Sequence, residues 1–104
     1  MIRVFEPKLG LVEKKYIYNS INKGFVSSSG PSVQKFEKKW ANYCDRKYGV
    51  SVSNGTVALQ LALKLLNLKK NDEVIMPSNT IISCAMAAVY NGLKIVPIDC
   101  NLDN

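Results

Sequence analysis

The chain alternates between two kinds of apolar pattern. In its first third the apolar and aromatic positions Val12, Tyr16, Ile17 and Ile21 recur at close to helical spacing, which predicts a helix over Leu11 to Lys23 that stops at Gly24. The polar linker F-V-S-S-S-G follows, and Pro31 suits the first turn of a second helix. Val33, Phe36, Trp40 and Tyr43 then fall at steps of three, four and three, so they share one helix face. A Trp and a Phe at that spacing are expected in a core.

From Val50 the pattern changes. V-S-V-S, Val50 to Ser53, reads as a short β-type run, and the polar turn Asn54-Gly55 opens onto a strongly apolar helical segment reaching Leu66. N-D-E-V-I-M-P, Asn71 to Pro77, is a short buried-strand pattern that stops at proline. A second helix of small and apolar residues, Ile81 to Tyr90, ends at Asn91-Gly92, and K-I-V-P-I-D, Lys94 to Asp99, is another strand. The order β–α–β–α–β with short connections predicts an α/β fold, a mostly parallel sheet with helices packed on it. The helix at Ile81 and the strand at Val74 to Met76 are apolar on nearly all sides, as buried elements are.

The turn at Asn54-Gly55 is the candidate for chemistry. Gly55 suits a positive φ or a close approach of another group to the backbone. Thr56 brings a hydroxyl to the first helical turn, where N–H groups lack internal partners and the helix dipole favours negative charge. A strand, a glycine turn and a helix N-terminus make a phosphate cradle. The same residues also suit a plain β–α turn capped by Asn54 or Thr56.

Composition narrows the class. Hydrophobic residues make up 47% and charged residues 21% of the 104, and no apolar run approaches the roughly 20 residues of a membrane span. M-I-R-V-F-E-P-K has no apolar signal core. Cys44, Cys84 and Cys100 show no CxxC or metal spacing, so reduced structural thiols in a cytoplasmic protein are expected. The net charge of +6 comes mainly from Lys14-Lys15, Lys38-Lys39, Lys69-Lys70 and Arg46-Lys47, which fit solvated helix faces. No aromatic-and-basic RNA motif and no helix-turn-helix signature accompanies them, so neither nucleic acid nor membrane is an expected partner. A dinucleotide-binding G-x-G-x-x-G is absent from S-N-G-T-V-A, which argues against a Rossmann dehydrogenase.

Four blocks in order and spacing, G-F-V-S-S-S-G-P-S-V-Q-K-F-E-K-K-W-A, S-N-G-T-V-A-L, D-E-V-I-M-P-S-x-T and I-V-P-I-D, resemble the N-terminal part of the DegT/StrS-type nucleotide-sugar aminotransferases, fold-type I enzymes that use pyridoxal 5'-phosphate (PLP). The resemblance runs from about Phe5 to Asp99. It implies that Gly55 and Thr56 contact the PLP phosphate, that Ile81 stands where many relatives stack an aromatic residue on the pyridine ring, and that Ser28, Ser29 and Gly30 lie on the substrate side, near a dimer interface. It implies residues 1–49 as an N-terminal helical segment and 50–104 as the start of a cofactor-binding sheet. The implied reaction moves an amino group, from glutamate, to a nucleotide-linked keto-sugar for polysaccharide or amino-sugar synthesis, in a cytoplasmic enzyme that is a homodimer when full length. Asn71 replaces a usual glycine, and asparagine tolerates the left-handed turn best among the others.

Family members are several times longer than 104 residues. Their Schiff-base lysine and the aspartate that pairs with the pyridine nitrogen lie beyond this chain, and Asp99 is too early to be that aspartate. The chain is therefore expected to be a fragment with no catalytic residue, inert by itself, and N-L-D-N is expected to be the loop after the last strand. A non-catalytic or regulatory relative, or a sugar dehydratase of the same family, is the alternative.

Overall fold

A computed structural model describes residues 5–101 of the chain. These fall into two compact units that divide between Ser51 and Val52. Leu102 to Asn104, most of the expected closing loop, lie outside the described residues.

The first unit carries α1, Leu11–Asn22, and α2, Pro31–Tyr43. Glu13, in the first turn of α1, accepts the Gly10 N–H at 2.7 Å, which satisfies a helix-end donor and complements the dipole. At the other end Gly24 sits at φ +70. Its N–H reaches Ile21 O at 3.0 Å while Phe25 N–H reaches Ser20 O at 2.9 Å, a Schellman stop. Gly30 caps α2 and Pro31 follows at its first position. A Cβ on Gly30 would lie 3.2 Å from that of Phe25, so the buried glycine keeps the loop closed on this ring.

The aromatic face of α2 is not a core. Phe36 is 54% and Trp40 55% exposed, and Tyr43 more so. Phe36 instead stacks on Trp40 with ring centroids 6.0 Å apart, and Trp40 meets Tyr43 in a tilted contact at 5.6 Å. The buried position of this helix is Ala41. Gly49 packs against it so closely that a Cβ would come 2.6 Å from Glu37 O.

The expected strand at Val50 to Ser53 does not form. A strand requires a hydrogen-bonded neighbour, and among the described residues this segment has none. The N–H of Ser51 goes instead to the Glu37 side chain at 2.8 Å.

In the second unit α3, Gly55–Leu65, is followed by β1, Glu73–Pro77, then α4, Ile82–Tyr90, and β2, Lys94–Ile98. The two strands pair in parallel with Glu73 opposite Lys94 and Pro77 opposite Ile98, so the sheet has two strands among the described residues rather than the expected three. Lys94 Nζ lies 2.7 Å from Glu73 Oε1 across the register. This partner, through its hydrogen bond and its charge, raises the lysine above its ordinary pKa. Asn71 enters the first strand at φ +71, as anticipated, and its N–H bonds Gly92 O at 2.9 Å.

The small core of this unit is Met76 of β1, Ala87 and Ala88 of α4, and Leu93. The two alanines are fully buried because their short side chains let α4 lie close to its neighbours. Leu93 follows the left-handed Gly92 that stops the helix, and its N–H bonds Ala88 O at 3.0 Å. Asn91 ties the same end of α4 to α3, its Nδ2 donating to Gln60 O at 3.0 Å. Ile75, Ile82, Val89 and Tyr90, by contrast, remain exposed. The apolar character of these elements therefore exceeds what this unit covers. The three cysteines are free; Cys44 and Cys100 are exposed rather than structural, and Cys84 is half-buried.

Candidate functional site

Gly55, Thr56 and Val57 form the first turn of α3. Asn54 caps it: its Oδ1 accepts Val57 N–H at 3.1 Å and its carbonyl accepts Ala58 N–H at 3.1 Å. The cap therefore falls to Asn54, and the Thr56 hydroxyl is left for other work. Among the described residues, the N–H groups of Gly55 and Thr56 have no protein acceptor. They are two of the orphan donors of this helix end that the cap leaves open.

Of the two uses expected for Gly55, a positive φ or a close approach to the backbone, the positive φ is not found; among the glycines of the described residues Gly24 and Gly92 adopt it. The turn as built does not need a glycine for its conformation. What distinguishes Gly55 is space, because a Cβ there would meet nothing within 4 Å. The first turns of α3 and α4 hold no acidic side chain, so nothing in them opposes an anion.

Thr56 Oγ1 donates to Ser83 Oγ at 2.9 Å. Both residues are half-buried, and Ser83 belongs to the first turn of α4. The bond places the N-terminal turns of the two helices side by side. Ser83 closes the run Ser78 to Ser83 in the sequence, but its partner lies 27 residues away, which spacing alone cannot supply. Ile81 is the N-cap of α4, at φ −68 and ψ 138, and is 68% exposed. The structure thus brings Gly55, Thr56 and Ile81 onto the adjoining starts of α3 and α4.

Ser28 and Ser29 are exposed loop residues of the first unit, where Ser29 Oγ and Ser27 Oγ lie 3.0 Å apart. Gly30 is buried against Phe25. Among the described residues no cluster of His, Cys, Asp and Glu is placed to hold a metal ion, and no helix is long and apolar enough to cross a membrane.

The model of the DegT/DnrJ/EryC1/StrS aminotransferase family matches residues 7–104. A GDP-perosamine synthase of Escherichia coli O157:H7 is 42% identical over 98 residues, covering 94% of this chain and 27% of the relative. The dTDP-3-amino-3,4,6-trideoxy-alpha-D-glucose transaminase of Streptomyces venezuelae is 40% identical over 75 residues, covering 72% of this chain and 20% of its own. Among solved structures, NtdA of Bacillus subtilis with bound cofactor PMP is similar with a TM-score of 0.76 and 30% identity, over 89% of this chain and 22% of that one. The chain spans about a quarter of the length of the relatives it matches.

Proposed function

The chain belongs to the DegT/DnrJ/EryC1/StrS aminotransferase family, and from that premise we propose that it supplies the front of the cofactor site of a PLP-dependent sugar aminotransferase. The observation that carries this is the start of α3: two unclaimed N–H groups, at Gly55 and Thr56, beside open space at the glycine. A phosphate monoester needs donors, room and an absence of carboxylates, and the residues present fit it on all three counts.

In this reading the Gly55 and Thr56 N–H groups and the Thr56 hydroxyl hold the phosphate. Gly55 lets it approach the backbone. Ile81, exposed at the head of α4, covers a face of the pyridine ring by dispersion. When bound, the cofactor supplies the electron sink for amino transfer, and the chain's part is to anchor and orient it. Residues 50–104 are then the start of the cofactor-binding sheet, with Ser28, Ser29 and Gly30 on the substrate side of a homodimer. The GDP- and dTDP-linked sugars in the relatives' names support a nucleotide-linked keto-sugar as acceptor. Glutamate is the proposed amino donor and the cytoplasm the place of action.

Pyridoxamine 5'-phosphate (PMP) tests the site, since it lacks the aldehyde that would react with surface lysines. Added to the isotope-labelled chain, it is expected to move the amide resonances of Gly55 and Thr56 before any others. Shifts confined to other residues would take this turn out of the site.

A further inference from the structure

Each hydroxyl of the Thr56–Ser83 pair has one hydrogen to give and two lone pairs to receive. One hydrogen lies between the two oxygens, so one is left to point outward. With Thr56 donating at 2.9 Å, the outward hydrogen is that of Ser83, and it meets no acceptor among the described residues. The structure holds the pair with Thr56 as donor, and the reverse arrangement requires rotation about both C–O bonds. Ser83 then donates to Thr56, and the Thr56 hydrogen is free. An anion on the N–H groups of Gly55 and Thr56 selects the second arrangement, because Thr56 shares their helix end. There Ser83 fills a lone pair of Thr56 and polarises its O–H, which strengthens the bond Thr56 gives.

We infer that Ser83 is a positioning residue for the cofactor phosphate: its hydroxyl touches Thr56, not the phosphate, and turns the Thr56 donor toward the anion. The inference rests on the reading of Gly55-Thr56 as the phosphate turn. The same bond sets the N-terminal turn of α4 beside that of α3, so the positive ends of both helix dipoles adjoin the site. The fold does not hang on this bond alone, because Asn91 also fastens α4 to α3 through Gln60 O.

The test is PMP affinity and melting temperature on the full chain for wild type, Ser83→Ala, Thr56→Ala and the double variant. Ser83→Ala is expected to weaken PMP about three- to tenfold, the worth of one ordinary hydrogen bond. The double variant is expected to bind no more weakly than Thr56→Ala alone, since Ser83 acts through Thr56. Ser83→Thr, which keeps the hydroxyl, is expected to restore wild-type affinity. Losses that add in the double variant, or unchanged affinity in Ser83→Ala beside a weakened Thr56→Ala, would overturn the role of Ser83 and leave the phosphate turn standing. Wild-type affinity in Thr56→Ala would take the Thr56 hydroxyl, and Ser83 with it, out of the site; no uptake of PMP by wild type would instead remove the phosphate turn itself. Should Ser83→Ala fail to fold, Ser83→Cys, similar in shape and a poor donor, is expected to show the same loss.

Discussion

The carboxylate of Glu37 receives both hydrogens that Ser51 can donate, the amide at 2.8 Å and the hydroxyl at 2.9 Å. The backbone bond, then the side-chain bond, holds Glu37 below the usual glutamate range. A carboxylate whose pKa is depressed by folding contributes stability above its unfolded value and loses it as pH falls through the folded one. We therefore predict that the Ser51 amide loses protection from hydrogen exchange as pH drops below about 4.3, the ordinary glutamate value. Glu37→Gln should flatten that dependence. An identical acid profile in the two proteins would show that the carboxylate does not fasten this segment.

Two glycines should respond oppositely to alanine. At Gly49 the new Cβ would come 2.6 Å from the backbone oxygen of Glu37, and backbone yields poorly, so Gly49→Ala is predicted to cost about 1–3 kcal/mol. At Gly55 nothing lies within 4 Å and φ is not positive. Gly55→Ala is therefore predicted to be neutral, or stabilising by up to about 1 kcal/mol through the unfolded chain. Denaturant midpoints compare them directly, and a Gly55→Ala chain less stable than Gly49→Ala would contradict the packing described.

What was legible in the sequence was mostly local. Gly24 and Gly92 stop helices, Pro31 starts one, and Asn71 takes the left-handed turn, because each of these depends on a residue's own backbone preferences. The parallel strands at Glu73 and Lys94 followed from short apolar runs between turns. Val50 to Ser53 misled because a strand is made by its neighbour, and the neighbour here is the Glu37 side chain. Periodicity found the aromatic face of α2 but could not say what covers it. Gly55 and Thr56 were legible as a helix start. The partner of Thr56 was not, since spacing does not tell which hydroxyls meet across 27 residues.

Ile81 is 68% exposed, so a larger ring there has no core to overpack. We predict that Ile81→Tyr leaves the melting temperature nearly unchanged. It should tighten PMP by up to about tenfold, the worth of an aromatic contact beyond its buried area. Loss of both affinity and melting temperature would place Ile81 in packing rather than against the ring.

Ile75 is 69% exposed, and Ile82, Leu65, Leu66 and Val89 are exposed as well. Surfaces of this kind associate. The 104-residue chain on its own is predicted to bind an apolar dye and to self-associate as its concentration rises. A monomer with a sharp cooperative melt and no dye binding, measured by sedimentation and calorimetry, would contradict this.

The central claim is that the start of α3 holds a phosphate, and Gly55→Val tests it most directly. A side chain at this position meets no protein atom within 4 Å of its Cβ, so it obstructs an incoming anion while sparing the fold. In a PMP titration of wild type and Gly55→Val, with melting temperatures recorded alongside, the prediction is at least about a tenfold loss of affinity, or 1.4 kcal/mol, with the melt little changed. Equal PMP affinity in the two proteins would contradict it.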